Sequence, residues 1–454
     1  MRKMRIVALL FLASCTTATA PGTDYRARLN GIETRGHARV DASPKPAGPN
    51  IALVGGTVMT ANGVVHSPGY VVMKGGLITE IGSGEPAPDP DVHRIDAHGM
   101  TVTPGLIDTH SHLGVYATPS VKAHSDGNEA TGSNSAGVWA EHSVWPQDPG
   151  FERAIAGGVT TLHVLPGSAN LIGGRGVTLH VKPARSARAM RLEGAPDTVK
   201  MACGENPKRT YGTRGSAPST RMGNVRGHRD AFISAQDYLS GLKAGKDFSR
   251  DLGKETLALL LDGQILAQVH CYRADDMITF LQLAHEFDFK IRSFHHALEA
   301  YKIADVLKGA DVAVSTWADW WGFKAEAWDG IESNAAVLTA AGVRAVIHSD
   351  SAIGIQRLNQ EAAKAMATGK RAGIDVTTDQ ALRWVTANPA WVLGIDDQVG
   401  TLEVGKRADI AVWTGDPFSV YSKAKWVFVD GVLHWNVDRG LAPWSDFEVG
   451  MGLP

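Results

Sequence analysis

Cysteine is scarce: the chain has three in 454 residues, and one of them, Cys15, lies within the first twenty. That excludes a framework of disulfides around a small core, and Cys203 and Cys271 read as two small buried apolar side chains. An excess of charge of one sign is lacking as well. Lys and Arg number 45 against 47 Asp and Glu, a formal net charge of −2, and no long basic run occurs, so nucleic acid is excluded as a partner. Beyond the N-terminus no apolar run is long enough to cross a membrane. With 44% hydrophobic and 20% charged residues, the chain is neither disordered nor fibrous, and its length suits one large domain with a smaller one.

The N-terminus carries an address. Arg2, Lys3 and Arg5 precede the apolar stretch Ile6 to Leu12, the layout of a signal peptide over residues 1–20. Leu12-Ala13-Ser14-Cys15 resembles a bacterial lipobox, in which Cys15 would be lipidated and become the new N-terminus. The rival is ordinary cleavage after Ala18-Thr19-Ala20, but Pro21 is a poor residue just past a cut. The expectation is therefore an exported lipoprotein of the cell envelope, periplasmic or on the outer membrane, touching the membrane only through its anchor. Residues 21–49, rich in Pro, Gly, Ala and Arg, read as a tether.

From Ile51 short β-type runs separated by glycine turns take over, and the same texture returns in "GTLEVGKRADIAVWTG" and "AKWVFVDGVLHW". Neither stretch encloses a core alone, so residues 50–102 and 397–436 are expected to form one small β-sandwich domain from both chain ends, followed by a C-terminal tail, 437–454. Between them, eight apolar strand-like runs alternate with helix-like stretches. They begin at 106–110 and continue through "GVTTLHVL", "GVTLHVK", "DTVKMA", "GQILAQVH", "FKIRSFHH", "DVAVSTW" and "VRAVIHSD". This predicts an α/β fold, a (β/α)8 TIM barrel over residues 103–396 with parallel crossovers. An open doubly wound sheet is disfavoured because "GGRG" lacks the dinucleotide-binding spacing.

The chemistry is carried by histidine. In "PGLIDTHSHLGVY", His110 and His112 stand two apart at a strand end, where alternation points both imidazoles to one side. Alone, such a pair can equally be two polar residues on a solvated face. The catalytic end of a barrel, however, gathers the C-terminal ends of its strands, and there the other runs carry Lys200, His270, His295, His296, His348 and Asp350. That coincidence favours a metal site. His163 and His180, alternating with apolar residues, read as structural.

Taken together, "PGLIDTHSHL", "GGVTT", the histidines of strands five and six and the late "HSD" resemble the amidohydrolase superfamily, in the branch of imidazolonepropionase-like hydrolases and metal-dependent dipeptidases. The resemblance spans nearly all of residues 50–436. It implies His110 and His112 as ligands of one metal, His270 and His296 as ligands of a second, and Asp350 as a ligand of the first that also serves as the catalytic proton acceptor. It places Lys200, carboxylated by CO2, as the bridging group, with Glu205 as the alternative, and His295 beside the ligands rather than among them. Two divalent ions are implied, zinc suiting imidazole and carboxylate best.

In "GENPKRTYGTRGSAPSTRMG", a loop-like cationic stretch, Arg209, Arg214 and Arg221 are candidates to grip a substrate carboxylate, and Trp321 stands for the aromatic run that follows strand seven. The expected activity is hydrolysis of an amide-type C–N bond in a small molecule, with a dipeptide or N-acyl amino acid preferred. A cyclic amide is the first alternative, and a non-catalytic envelope-binding lipoprotein on the same barrel the second. The composition is compatible with either a monomer or a homo-oligomer.

Overall fold

A computed structural model describes residues 48–246 and 249–440. The signal-peptide and Cys15 lipidation readings, most of the tether and most of the tail lie outside the described residues. Five strands open the described chain: β1 (Ile51–Met59), β2 (Val65–Lys74), β3 (Leu77–Ser83), β4 (His93–Asp96) and β5 (Thr101–Pro104). The next eight are β6 (Leu106–Ser111), β7 (Val159–Val164), β8 (Ile172–His180), β9 (Thr198–Ala202), β10 (Leu266–Cys271), β11 (Ile291–His296), β12 (Ala313–Thr316) and β13 (Ala345–Ile347). Three more close the described chain: β14 (Ile410–Trp413), β15 (Ala424–Val429) and β16 (Val432–Asn436).

The first and last groups share one sheet in the order β16-β15-β14-β5-β1-β2-β3, with β4 also on β1, so both chain ends build the small domain as expected. Its fork lies at Gly55, where a positive φ of 82° interrupts the register of β1. Before it β1 pairs with β4, and after it with β5. The positive φ favours glycine there, and a Cβ would come within 2.3 Å of the exposed His98 ring and push it aside. The core of this domain is Ile51, Leu53, Val58, Val71, Met73, Ile78, Val102, Ile410, Val412 and Phe428.

The middle eight strands form the barrel in strict chain order, β6 to β13, and nearly every residue in them is buried. Uninterrupted burial explains why these runs read as continuous rather than alternating apolar segments. Between the first and last strands the wall is completed by a helix-connecting segment. Val385 C=O accepts from Ile107 N–H at 2.9 Å, and Trp384 C=O from Ile347 N–H at 3.0 Å.

Two expectations need correction. The barrel is not all parallel: β8 runs antiparallel to both β7 and β9. Residues 165–171 are too few for a crossover helix, so the chain can only turn back on itself. The glycines of "GGRG" sit inside this reversed strand, where a Cβ on Gly174 would come within 2.4 Å of Val138 O and one on Gly176 within 2.5 Å of Thr198 Oγ1. Reversal also sends His180 to the end of the barrel facing the small domain. There its Nε2 lies 3.1 Å from Asp409 and its Nδ1 3.7 Å from Asp430, which is itself bound by Arg407 at 2.6 Å. Second, Cys203 and Cys271 are not two separate thiols but a disulfide, with Cα atoms 5.3 Å apart. They close the ends of the adjacent strands β9 and β10, where Cys203 N–H donates to His270 C=O.

Candidate metal centre

The first strand of the barrel delivers its histidines with their orientation fixed. Asp148 caps the helix Pro149–Ala156 by accepting from Gly150 N–H, and it also accepts from Gly114 N–H at 2.8 Å, clamping the loop that follows His112. Asp108, fully buried, accepts from His110 N–H, Ser349 N–H and the Ser349 hydroxyl, so it ties the first strand to the loop carrying Asp350. Asp350 N–H in turn donates to His110 C=O at 3.0 Å.

The ring nitrogens can be assigned from their partners. Gln268 Nε2 donates to Val392 C=O, so its Oε1 faces His295 Nε2 at 2.8 Å and must accept from it. His295 Nδ1 then has only a lone pair to offer, and His110 Nδ1–H donates to it at 2.9 Å. His110 Nε2 is left unprotonated and faces the site. By the same logic His112 Nδ1–H donates to Leu165 C=O at 2.9 Å and frees its Nε2. Asn206 Nδ2 donates to His270 Nε2 at 3.3 Å, which marks that nitrogen as a lone pair too.

These lone pairs converge. Asp350 Oδ1 lies 3.4 Å from His112 Nε2 and 3.7 Å from His110 Nε2, and its Oδ2 is 4.0 Å from His296 Nδ1. Among the described residues three sets of three donor atoms fall within 4.8 Å of one another, and two of them lie here: His110, His112 and Asp350, and His110, His296 and His348; the third is His180, Asp409 and Asp430 at the other end of the barrel. His270 packs against His296 with ring centroids 4.7 Å apart. Lys200 Nζ is 3.5 Å from His110 Nε2 and donates to Pro166 C=O. His296 Nδ1 and both ring nitrogens of His348 find no hydrogen-bond partner, a condition that is costly unless something else occupies the lone pairs.

Electrostatics agree. Burial pushes His110, His270 and His296 well below the ordinary imidazole range, and His112 and His348 down to about 3, so all five are neutral donors. Burial also pushes Asp350 up to about 7 and Lys200 down to about 8. His296 (φ 69°) and Asp350 (φ 48°) both hold left-handed backbone, costing about 1–3 kcal/mol each, a strain that the surrounding packing must impose. Neutral imidazoles, one carboxylate and unpartnered nitrogens fit divalent cations.

The structure of an amidohydrolase from Thermotoga maritima is 35% identical, superposes with a TM-score of 0.79, and is matched over 85% of this chain and 100% of its own. The chain belongs to the amidohydrolase family. The family model described as "Amidohydrolase family" matches residues 265–434 of this amidohydrolase. "Amidohydrolase tasK" of Hapsidospora irregularis is 34% identical over 401 residues, 81% of this chain, which spans only 40% of that protein. An imidazolonepropionase of Mesorhizobium japonicum is 25% identical over 401 residues, covering 77% of this chain and 87% of its own.

The amidohydrolase barrel brings together His110, His112, Lys200, His270, His296 and Asp350, with His295 behind them. It adds His348, whose place in "HSD" the family pattern leaves without a role. Glu205 is absent from both donor sets and instead pairs with Lys324 at 3.3 Å. The cationic stretch is not a loop: it contains the helix Glu205–Gly212 and begins a second, Arg221–Lys243. Arg209 is exposed on the first of these, Arg214 donates to Ala130 C=O, and Arg221 is held by Asp276 and Glu326. Among the tryptophans it is Trp317 that stacks on His296, at 4.3 Å, while Trp321 lies at the exposed rim. Lys324, Asn206 and Tyr272 escape a reading by motif because they belong to no metal-binding pattern.

Proposed function

We propose that this amidohydrolase cleaves an amide-type C–N bond in a small molecule, the preferred substrate being a dipeptide or N-acyl amino acid. The observation that carries the reading is the convergence of neutral imidazole lone pairs and one carboxylate, from four strand ends, on a single mouth. His110, His112 and Asp350 would hold one ion, and His270 and His296, with His348 beside them, a second. Lys200, carboxylated by CO2, would join the two sites, its partly deprotonated amine being the form that reacts with CO2. Two divalent cations in that set, zinc being the best match, would acidify a water and polarise the scissile carbonyl.

The chain's own groups do the rest. Asp350 is placed to accept the proton of the attacking water as the new C–O bond forms. The same carboxyl group then gives that proton to the departing nitrogen as the C–N bond breaks. Tyr116 and Trp317 pack on His112 and His296 and limit solvent around the rings. A second version, opening of a cyclic amide, uses identical steps and is supported by the imidazolonepropionase relative.

Export and lipid anchoring through Cys15 are part of the same proposal. They rest on residues 1–20, and the Cys203–Cys271 disulfide supports an oxidising compartment. The test of function is metal content per chain in the purified protein and in His270→Ala, with a hydrolysis screen over dipeptides, N-acyl amino acids and cyclic amides. Two metals per chain, falling in the variant, together with turnover of one class, is the expected result. A chain that takes up neither zinc nor manganese overturns the reading.

A further inference from the structure

The rim of the metal centre carries one lysine that the chemistry above does not use. Lys324 follows β12, and its Nζ donates to Asn206 Oδ1 at 2.8 Å. It also lies 4.0 Å from the centre of the Tyr272 ring and 3.3 Å from Glu205 Oε1. An ammonium has three donors; one goes to Asn206 and a second to Glu205, which leaves one for a ligand. The Glu205 contact is longer than the 2.7–2.9 Å or so expected of a charge-assisted bond. The lysine side chain is 17% exposed, so it is held in place without being sealed from solvent.

Its position relative to the ligands follows from a short relay. The Asn206 amide that accepts from Lys324 donates from its other end to His270 Nε2 at 3.3 Å. The two contacts and the amide between them put the ammonium under about 9 Å from that nitrogen. In a dipeptide or N-acyl amino acid, the carboxylate carbon lies about 3–4 Å from the scissile carbon. A further hydrogen bond of about 3 Å reaches a cation at that range.

We propose that Lys324 is the residue that recognises a free carboxylate on the leaving-group side of the substrate, with Glu205 as its resting counter-ion. This rests on the proposed hydrolase reading and narrows it: substrates are acids, and their C-terminal amides are discriminated against. Asn206 is a positioning residue that holds Lys324 at the edge of the candidate metal centre. The Tyr272 ring face steadies the cation and presents an apolar wall to the substrate.

The test separates recognition from turnover. Calorimetric titration of the zinc-loaded protein with L-leucine and with L-leucinamide reads carboxylate binding without any reaction. The acid is expected to bind at least tenfold more tightly, with Lys324→Met abolishing the difference and Lys324→Arg keeping part of it. In hydrolysis, Lys324→Met is expected to raise KM tenfold or more for N-acetyl-leucine and for leucyl-leucine. It should leave kcat and the KM for leucyl-leucinamide within about twofold. Equal binding of acid and amide by the wild type, or equal weakening of both by Lys324→Met, overturns the assignment even if the enzyme is active. Failure to hydrolyse any amide would instead count against the hydrolase reading, and the leucine titration would still decide the role of Lys324.

Discussion

Two buried clusters of histidine and aspartate occupy opposite ends of the barrel, and they behave in opposite ways. At the base, His180 lies between Asp409 and Asp430, and Arg407 completes the charge balance. Desolvation would raise the Asp430 pKa, yet His180 and Arg407 hold it below its ordinary value. At the mouth, Asp350 sits among neutral imidazoles with Lys200 as its nearest cation, and burial carries it up to about 7. The base sets His180 and Arg407 against Asp430, although His180 Nε2 and Asp409 Oδ2 make no hydrogen bond there, whereas the mouth gathers several unpartnered ring nitrogens around a single carboxylate. The same residue types link the two domains in one place and line the candidate metal centre in the other.

The largest effect expected of that contrast is on catalysis. Asp350→Asn should lower kcat by about 10²–10⁴ with the fold intact, whereas Asp430→Asn should leave kcat unchanged. A steady-state assay on the substrate found by the screen, paired with circular dichroism, reads both. If the two variants lose activity alike, the ends of the barrel are not functionally distinct.

Next comes stability. Asp409→Asn leaves buried His180 facing Asp430 alone and should cost about 3 kcal/mol in urea unfolding, with metal content per chain unchanged. The relay behind His110 should have a smaller effect. Gln268→Leu removes the acceptor that fixes the His295 tautomer, and zinc affinity measured by chelator competition should fall about 10- to 100-fold.

Last is the pH response of the metal-free chain. His112 and His348 have folded pKa values near 3 against 6.5 when unfolded, so between those limits the unfolded state binds more protons. Stability therefore falls as pH drops through 6.5, by about 1.4 kcal/mol per pH unit for each such histidine. Asp350, whose folded pKa of about 7 is raised, works in the opposite sense between about pH 4 and 7 and offsets roughly one histidine. The urea midpoint should decline from pH 6.5 to 4.5, and His348→Phe should flatten that slope by about one proton. A slope unchanged by His348→Phe would show that this ring is not the neutral donor described above.

Much of this was legible in the residues. All eight barrel strands lie where the apolar runs fall, and the candidate ligand histidines stand at or just past strand ends because strand alternation and barrel direction leave little choice. The reversed β8 was missed because texture reveals a strand but not its direction. The seven residues between β7 and β8 were the available signal, too few for a helix. The disulfide was missed because its cysteines are 68 residues apart and meet only through the pairing of β9 with β10. Lys324 stayed invisible since its meaning depends on Asn206 and Tyr272, which reach it from two other strand ends.

That disulfide has one more consequence. It encloses the chain from Cys203 to Cys271, including the helices Glu205–Gly212, Arg221–Lys243 and Leu252–Leu261. A protease cut anywhere in this span would leave both pieces of the barrel wall covalently joined, with Lys200 on one piece and His270 on the other. Nicked protein should migrate as one chain without reductant and as two with it, and the ligand set should stay together until the bond is broken.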